Sequence, residues 1–392
     1  MSPSTGSQAL YSSLQMIEKF VSFDTTSRDS NLKLIQFVRT YLESRDIHCD
    51  VIPDVANLKA NLLARVGPAR GRGLILSGHT DTVPVDEQNW SHEPFSLTRV
   101  NDRLFGRGTA DMKSFLAVCV ALAPELAKMD LGEPIYIAMS YDEEVGCLGA
   151  PSMISRIRAL DEVPRACIVG EPSEMEVFVS HKGIHVFETT IIGREAHSSL
   201  PDSGANAISA AGELIGFLGL MAREMRERGD STGVFDSSAF TSINVGTISG
   251  GTAFNIIPKT CKFKWEYRSI PGTNAEEIIG RLRDYSVQVL LPKMRATAPE
   301  ASIETRTLVS YEGLKPDRGS VAETLALRCS GKTESRITSF GTEAALFQSA
   351  GIPTVVCGPG SIAQAHRPDE YIELDQVEKC EEFLRQLART LT

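Results

Sequence analysis

The sequence lacks the features that mark several large classes of protein. Its eight cysteines are scattered and none lies in a Cys-x-x-Cys pair, which argues against a cysteine-held zinc site and a redox dithiol. No run of about 18 apolar residues is present, so no membrane-spanning helix is expected. Basic residues are in the minority, with 40 Lys and Arg against 50 Asp and Glu. The resulting net charge of −10 argues against a nucleic-acid-binding protein.

Motifs of three common sites are also missing. The chain has no Gly-x-Ser-x-Gly elbow, which disfavours a serine α/β-hydrolase, and no Gly-x-Gly-x-x-Gly stretch, which disfavours a dinucleotide site. Gly331-Lys332-Thr333 resembles the end of a phosphate-binding loop, but Ala326 stands where that loop needs glycine. The first residues carry no basic-then-apolar signal pattern and the scattered thiols suit a reducing compartment, so a cytoplasmic location is expected.

The patterns that are present alternate between strand and helix and predict an α/β fold. A length of 392 residues favours two domains at roughly 150 residues per domain. Short apolar runs predict strands at residues 61–66, 73–77, 134–140, 166–169 and 352–357. Periodic apolar positions predict helices at residues 12–20, 32–44, 112–129 and 376–391.

The segment 183–292 has a different pattern. Its order is strand, helix, two strands and helix, and the first helix carries an apolar stripe from Ile208 to Met225. This order predicts a smaller α+β module inserted into the larger domain, with one continuous α/β domain as the alternative. His181 and His185 share one face of a strand-like run and have no acidic partner nearby, so they are expected to be structural.

Side chains able to bind a metal ion follow the predicted strands. In chain order they are His79 and Asp81, Asp111, Glu143 and Glu144, Glu171, and His366. Most come directly after an apolar strand pattern, and Asp111 precedes a predicted helix. In open α/β sheets, ligands bind at the carboxyl ends of the strands, so these groups are expected to share one crevice.

This inventory fits a site for two metal ions. Imidazole and carboxylate groups suit zinc, with cobalt or manganese as substitutes. If Asp111 bridges, each ion receives three protein contacts and a shared water completes the coordination of both. One set that meets this count is His79, Asp111, Glu144, Glu171 and His366.

Two neighbours of the ligands have further expected roles. Asp81 lies two residues from His79 and can hold the imidazole through its other ring nitrogen. One of Glu143 and Glu144 can bind metal while the other serves as a general base, and spacing does not decide which. Each signal alone has a structural explanation, since adjacent acids often form a solvated turn and Asp111 is also a reasonable helix N-cap. The coincidence of all of them at strand ends favours the metal site.

Four motifs in one order resemble the dinuclear zinc amidohydrolases, a family of deacetylases, desuccinylases, aminoacylases and zinc carboxypeptidases. They are Ser-Gly-His-Thr-Asp-Thr-Val-Pro at 77–84, Gly-Arg-Gly-Thr-Ala-Asp-Met-Lys at 106–113, Asp-Glu-Glu at 142–144 and Gly-Glu-Pro at 170–172. The resemblance runs essentially from end to end. It implies a mixed-sheet catalytic domain with helices on both faces, built from residues 1–182 and 293–392. It also implies an inserted α+β lid, residues 183–292, through which such enzymes often dimerise.

The resemblance also implies roles for individual residues. The metal-ligand set proposed above carries over, Glu143 becomes the general base, and Asp81 is the residue behind His79. In the lid, His197 of Ala-His-Ser resembles the group that stabilises the oxyanion, sometimes across a homodimer. Asn255 and Arg268 resemble the groups that hold the substrate carboxylate. The implied cofactor is a pair of divalent ions, zinc or substituting cobalt.

Two C-terminal segments narrow the expected substrate. Gly-Thr-Glu-Ala at 341–344 and the stretch 358–371, which contains His366, resemble family members that deacetylate N2-acetyl-L-ornithine, a step of arginine biosynthesis. Glu343 is then the candidate for the side-chain ammonium of that substrate, or otherwise a helix N-terminal acid. One alternative is a broader N-acyl amino acid amidohydrolase, dipeptidase or desuccinylase. The other is a binding protein on an inactive hydrolase fold.

Overall fold

The structure, a computed structural model, describes residues 10–230, 235 and 239–392. Its strands are β1 (His48–Pro53), β2 (Ala60–Val66), β3 (Leu74–His79), β4 (Thr98–Val100), β5 (Arg103–Phe105), β6 (Ile135–Ser140), β7 (Ala166–Pro172), β8 (Phe178–Ser180), β9 (Ile184–Ile192), β10 (Ser242–Gly250), β11 (Thr260–Arg268), β12 (Ser302–Tyr311), β13 (Arg336–Ile337), β14 (Thr354–Gly358) and β15 (Tyr371–Glu373). Its helices are α1 (Ser13–Val21), α2 (Leu32–Glu43), α3 (Lys113–Leu126), α4 (Ala150–Arg158), α5 (Ala207–Arg228), α6 (Ala275–Tyr285), α7 (Leu291–Arg295), α8 (Val321–Ser330), α9 (Ala344–Ser349) and α10 (Leu374–Arg389). All nine predicted strands and helices named by range above are confirmed, with ends that differ by a few residues.

The chain divides into two compact units. The first contains residues up to Val179 together with Pro316–Arg336 and Thr342–Thr392, and the second contains Ser180–Lys315 and Ile337–Gly341. The first unit is therefore built from both parts of the chain that flank the second. The predicted insert 183–292 lies within the second unit, which continues past it to residue 315.

A mixed sheet organises the first unit, as predicted. Its strand order is β1-β2-β6-β3-β7-β14-β8-β13, and the four neighbours β6, β3, β7 and β14 run parallel. These strands are buried along their whole length, as expected when helices cover both faces of a sheet. Because parallel strands end at the same edge, the segments that follow β3, β6, β7 and β14 meet there.

A close approach between β7 and α3 fixes part of this edge. A Cβ atom added to Gly170 would lie 2.1 Å from the ring of Phe115 in α3, so only glycine allows the contact. The next residue along β7 is Glu171, and Phe115 lies one helical turn beyond Asp111. The missing side chain of Gly170 thus lets the strand that carries Glu171 lie against the helix that follows Asp111.

The second unit is a four-stranded antiparallel sheet with the order β10-β11-β9-β12. Alternate residues of β9 and β11 are buried, and α5 packs on β10, β11 and β9. The buried side includes Trp265, whose ring stacks on that of Phe187 at 4.5 Å between centroids. The predicted strands and long helix of this segment are present. β12 was not predicted, because its exposed and polar residues give no clear apolar alternation.

His181 and His185 lie inside the second unit, as expected for structural residues. The Nδ1–H group of His181 donates to the carbonyl oxygen of Lys182 at 2.9 Å. The His185 ring stacks on Tyr267 at 4.3 Å between centroids. Burial lowers the pKa of each imidazole to about 4.

These histidines predict acid destabilisation. An imidazole in the unfolded chain titrates near pH 6.5. Between about pH 6.5 and 4 the unfolded state therefore binds more protons than the folded state, and the free energy of unfolding falls as the pH is lowered. For His181 the loss approaches about 3 kcal/mol at the acid end of this window. His181→Gln should flatten this pH dependence, whereas His48→Gln at an exposed position should not. Denaturant unfolding followed by Trp265 fluorescence, in a Trp90→Phe background, measures it. If the free energy of unfolding depended on pH equally in wild type and His181→Gln, the expectation would be wrong.

Two negative expectations concern membranes and thiols. Within the described part of the chain, no helix is both long and apolar enough to cross a membrane. All eight cysteines are buried, and none forms a disulfide among the residues described. Burial raises the pKa of several of these thiols, that of Cys49 to about 12, which makes them poor nucleophiles.

Candidate metal centre

The structure brings all five predicted metal ligands together at one edge of the mixed sheet. His79 ends β3, Glu171 lies in β7, and Glu144 follows β6. His366 comes from the segment after β14, and Asp111 lies just before α3. Met112, not Asp111, is the N-cap residue of α3, and no side chain caps that helix. Asp111 is therefore not held by the N-cap hydrogen bond that was its structural alternative.

The two oxygens of Asp111 face different imidazoles. Oδ1 lies 3.1 Å from Nε2 of His79, and Oδ2 lies 3.3 Å from Nε2 of His366. Glu171 joins the first side, with 3.7 Å between its Oε1 and His79 Nε2. Glu144 joins the second, with 3.0 Å between its Oε2 and His366 Nε2. The carboxylate thus lies between two clusters, each with one further imidazole and one further carboxylate.

Hydrogen bonding orients His79 for coordination. Its Nδ1–H group donates to the backbone carbonyl of Asp81 at 2.9 Å, which leaves the lone pair of Nε2 directed at Asp111 and Glu171. The Asp81 carboxylate lies farther away, with 3.6 Å between Oδ1 and Nδ1. The second ring nitrogen is held by Asp81 as expected, but the shorter contact is to its main chain.

The Asp81 carboxylate has a second set of partners that the sequence did not indicate. It accepts hydrogen bonds from the backbone N–H groups of Glu143 and Glu144, at 3.1 and 3.3 Å, and from the Ser27 hydroxyl at 2.7 Å. Burial alone would raise the pKa of Asp81, but its contacts with His79 and Ser27 lower it. One ionised carboxylate therefore supports His79 and also fixes the turn that carries the two glutamates.

The charges in the cluster favour a cation. Burial opposes a proton on His79, yet the carboxylates of Asp111 and Asp81 raise its pKa well above the usual value. Contacts with Asp111 and Glu144 raise the pKa of His366 to about 10. Burial, with neighbouring carboxylates, raises the pKa of Glu171 far above its ordinary range. A field that holds protons on nitrogen and oxygen this strongly also attracts a divalent cation.

The donor set fits metal ions. Ligand atoms of His79, Asp111 and Glu144 lie within 4.8 Å of one another, as do those of His79, Glu143 and Glu171. Oε1 of Glu144 is buried and accepts no hydrogen bond from the described residues. A buried carboxylate oxygen without a donor is costly unless a cation binds it. The cluster therefore has the imidazole and carboxylate groups that zinc prefers, and an oxygen that needs a partner.

Glu143 differs from its neighbour. Among the residues described, its carboxylate forms no ion pair with His366, and its Oε1 accepts a single, weak hydrogen bond, from the Cys147 thiol at 3.5 Å between Oε1 and Sγ. Burial, together with the neighbouring carboxylates, raises its pKa to about 8. A carboxylate with a raised pKa beside a metal site is suited to accept and return a proton.

The three predicted lid residues lie in the second unit. His197 and Asn255 are exposed and belong to paired segments, since Ser198 N–H donates to the Asn255 carbonyl at 3.0 Å. Arg268 ends β11 and pairs with Glu266, with 2.9 Å between Nη2 and Oε2. The structure thus places His197 next to Asn255.

Glu343 is buried beneath the strand ends of the first unit. Its two carboxylate oxygens accept hydrogen bonds from the hydroxyls of Ser77 in β3 and Ser140 in β6, each at 2.7 Å. Burial raises its pKa despite these bonds. Both oxygens already have a donor, which argues against direct contact with a substrate ammonium.

Sequence reasoning assigned no role to a buried ion pair behind the ligands. Arg107 and Glu370 are each at most 1% exposed and pair at 2.7 Å between Nη1 and Oε2. Arg107 lies in the motif quoted at 106–113, and Glu370 lies in the stretch 358–371. A signal for this pair was available in the sequence, because both residues are charged and each lies in a motif that also contains a candidate ligand.

The fold and this centre define a metal-dependent hydrolase. The chain matches the profile of peptidase family M20/M25/M40 over residues 75–390 and belongs to that family. The resemblance noted in the sequence is therefore confirmed. Residues 75–390 contain all five candidate ligands and Glu143.

Particular relatives and structures extend the comparison. The chain is 32% identical to acetylornithine deacetylase from Aliivibrio fischeri over 378 residues, which cover 96% of each protein. Its fold is similar to that of Sso-CP2, an M20 family metallo-carboxypeptidase from Sulfolobus solfataricus, with a TM-score of 0.75 and 17% identity over 97% of this chain and 99% of that one. It is also similar to the YXEP protein of Bacillus subtilis, a dinuclear metal binding peptidase from the M20 family. That likeness has a TM-score of 0.64 and 17% identity over 97% of each chain.

Proposed function

We propose that the protein hydrolyses N2-acetyl-L-ornithine to L-ornithine and acetate, in arginine biosynthesis. The observation that carries the reaction type is the position of Asp111, which lies between two imidazoles with Glu143 beside the cluster. The substrate is supported by the curated relative of that activity, which matches over 96% of the chain.

The proposed ligands form two sets that share Asp111. His79, Asp111 Oδ1 and Glu171 would hold one cation, and His366, Asp111 Oδ2 and Glu144 would hold the other. Zinc is the proposed metal, with cobalt as a substitute, because imidazole and carboxylate suit both. Bound there, the cations would acidify a water and polarise the acyl carbonyl.

Glu143 moves the proton in this scheme. Its carboxylate takes a proton from the water as the water oxygen attacks the acetyl carbonyl carbon. The same carboxylate then gives that proton to the amide nitrogen as the carbon–nitrogen bond breaks. Glu144 cannot serve equally, because Oε2 already lies 3.0 Å from His366 Nε2.

His197 is the proposed donor to the oxyanion. The backbone N–H of Ser199 donates to its Nδ1 at 3.2 Å, so in the neutral ring the proton is on Nε2. An Nε2–H group stabilises negative charge on the acyl oxygen as it develops, which is usually a large term in such reactions. The donor could act in its own subunit's site or in that of a partner.

Arg268 and Asn255 are the proposed anchors of the substrate α-carboxylate. A guanidinium binds a carboxylate through two parallel hydrogen bonds, and such charge-assisted bonds are worth about 1.5–3 kcal/mol. Arg268→Gln should therefore raise KM about 10- to 100-fold with a smaller change in kcat.

The control for this prediction is Arg306→Gln in the same sheet. Arg306 also pairs with a glutamate, at 3.2 Å from Glu188, and is exposed. Its replacement should leave KM unchanged. An unaltered KM in Arg268→Gln, measured by steady-state kinetics with the acetylated substrate, would remove Arg268 from the proposed site.

Two further proposals concern assembly and compartment. We propose a homodimer formed through the second unit, because β10 is an edge strand of its sheet and is largely exposed. The nearby Phe254 and Ile248 are also exposed, Phe254 completely.

Buried thiols without disulfides support a reducing location such as the cytoplasm.

A broader N-acyl amino acid amidohydrolase or dipeptidase is the second candidate. The hydrogen bonds of Glu343 favour it, since a carboxylate held by Ser77 and Ser140 is not free to select an ammonium side chain. A panel of substrates with zinc or cobalt supplied separates the two. The panel contains N2-acetyl-L-ornithine, N-acetyl-L-leucine, N-succinyl-L,L-diaminopimelate and a neutral dipeptide.

The proposed function predicts the highest kcat/KM for N2-acetyl-L-ornithine. A preference for acetyl-leucine or the dipeptide would replace it with the second candidate. No amide hydrolysis with either metal would overturn both. Glu343→Gln adds a sharper comparison. Only a direct contact between Glu343 and the substrate ammonium predicts a larger loss of kcat/KM with acetyl-ornithine than with acetyl-leucine.

A further inference from the structure

A buried ion pair is joined to the backbone of the proposed bridging ligand. Glu370 Oε2 pairs with Arg107, and its other oxygen, Oε1, accepts hydrogen bonds from two consecutive main-chain N–H groups. These belong to Ala110 and Asp111, at 2.8 and 3.0 Å. The carboxylate of Glu370 therefore holds the main chain from which the Asp111 side chain extends.

The same ion pair is also hydrogen-bonded to the segment that carries His366. Arg107 Nη1 donates to the carbonyl oxygen of Arg367 at 3.2 Å, and Nη2 donates to Oε1 of Gln88 at 2.6 Å. Gln88 in turn donates from Nε2 to the carbonyl oxygen of His366 at 3.0 Å. One network thus holds the main-chain carbonyls of two successive residues, His366 and Arg367.

The backbone of His366 needs such support. Its φ angle is +63°, in the left-handed region that residues with a Cβ atom seldom adopt. Such a conformation costs of order 1–3 kcal/mol and persists only where surrounding contacts impose it. The side chain is more than half exposed, so packing around the imidazole supplies little of that restraint. Hydrogen bonds to the main chain at His366 and Arg367 supply it instead.

Stability alone is a poor explanation for the network. Desolvation of a buried ion pair can cancel its attraction, and apolar residues of similar volume often serve as well or better. Here the hydrogen bonds of the pair end on the two segments that carry Asp111 and His366. The first proposed cluster, around His79, has different supports, namely Asp81 and Ser27.

We infer that Gln88, Arg107 and Glu370 are positioning residues that fix His366 relative to Asp111 and thereby set the affinity of the cation site formed with Glu144. The inference rests on the proposed function, since it assumes that the two ligand sets hold cations. Partners behind metal ligands typically change metal affinity 10- to 100-fold when they are removed. For Gln88, which donates to the carbonyl oxygen of His366, the expected effect is confined to one of the two sites, which a general loss of stability would not produce.

Cobalt binding by the full-length protein tests the inference. Equilibrium dialysis against Co²⁺ gives the number of ions per chain and their affinities, and the visible spectrum of bound Co²⁺ reports their coordination. Gln88→Ala should weaken one ion about 10- to 100-fold and leave the other unchanged. Glu370→Gln should weaken the same ion and, because Glu370 also holds the main chain of the shared ligand Asp111, the other ion as well. His366→Ala should lose the first ion alone. Gln36→Ala, at a glutamine on the outer side of α2, is the matched control and should bind both ions as wild type does.

The decisive comparison is a double-variant cycle. In a His366→Ala background, which has lost that ion, Gln88→Ala should leave the affinity of the remaining ion unchanged, because the network acts through His366. Equal weakening of both ions by Gln88→Ala would overturn the inference, and so would no weakening of either. Weaker binding of the remaining ion when Gln88→Ala is added to His366→Ala would also overturn it. Two tightly bound ions in both wild type and Gln88→Ala would overturn this inference and leave the proposed function standing. A wild-type protein that binds no divalent ion would remove both.

Discussion

Replacing Glu143 with glutamine is expected to lower turnover at least about 10²- to 10⁴-fold while both metal ions stay bound, since a positioned general base contributes about that much. Glutamine keeps the size of the side chain but cannot accept the proton from water. A carboxylate oxygen of Glu143 lies within 4.8 Å of ligand atoms of His79 and Glu171, but both proposed ligand sets are complete without it. Steady-state kinetics and elemental analysis of the purified variant measure the two parts of this prediction.

Glu144→Gln is the matched control, because it changes the adjacent residue in the same way. Glu144 lies 3.0 Å from His366 Nε2, so its variant should also lose affinity for one ion. Loss of turnover with both ions bound is then the signature of the base, and loss of turnover with one ion bound is the signature of a ligand. Full turnover in Glu143→Gln, or loss of metal from it, would refute the base assignment.

Replacing Asp111 with asparagine is expected to have the largest effect on metal content, because it alters both proposed ion sites at once. Its Oδ1 faces His79 and its Oδ2 faces His366, whereas each other ligand contacts one side. An amide presents only one oxygen and no charge, so it cannot bridge two cations. Both affinities should fall more than the roughly 10- to 100-fold typical of residues behind the ligands.

Glu171→Gln provides the comparison for Asp111. Its Oε1 lies near His79 and belongs to the first cluster alone, so this variant should weaken one ion. Metal dialysis on the two variants, with circular dichroism as a check of folding, distinguishes a bridging from a terminal ligand. If Asp111→Asn and Glu171→Gln each lost one ion and no more, the bridging position would be wrong.

The positions of the candidate ligands were predictable because they follow a simple rule of topology. His79, Glu144 and Glu171 each come after or at the end of an apolar run, and the runs became the parallel strands β3, β6 and β7. Parallel strands bring their carboxyl ends together whatever the loops between them do. Residues separated by more than 90 positions therefore meet without any local signal of contact.

The supporting contacts were not predictable in the same way. Asp81 was expected behind His79, but its hydrogen bonds to the main chain of Glu143 and Glu144 depend on how two loops fold against each other. Glu343 was a candidate for the substrate ammonium or a helix N-terminal acid, and its hydrogen bonds from the hydroxyls of Ser77 and Ser140 were not foreseen. Residue type and spacing indicate what a side chain can bind. They do not indicate which of several possible partners is nearest in the folded protein.

Strand β12 shows a third limit. Its outward side chains are polar and several inward ones are only partly covered, so the alternation that reveals β9 is weak there. Its place in the second unit comes from main-chain pairing with β9, from Ser302 opposite Ile192 to Tyr311 opposite Ile184. Backbone hydrogen bonds have little dependence on side-chain identity, which is why the pattern of the sequence missed this edge.

The order in which the strands of the mixed sheet occur along the chain has a consequence for biosynthesis. β14 lies between β7 and β8 in the sheet, although 181 residues separate the end of β7 from the start of β14. A ribosome makes the chain from its N-terminus, so β9 to β12 are all available to pair before β14 exists. The first unit is thus completed after the second, and 194 residues are added to the nascent chain between Glu171 and His366.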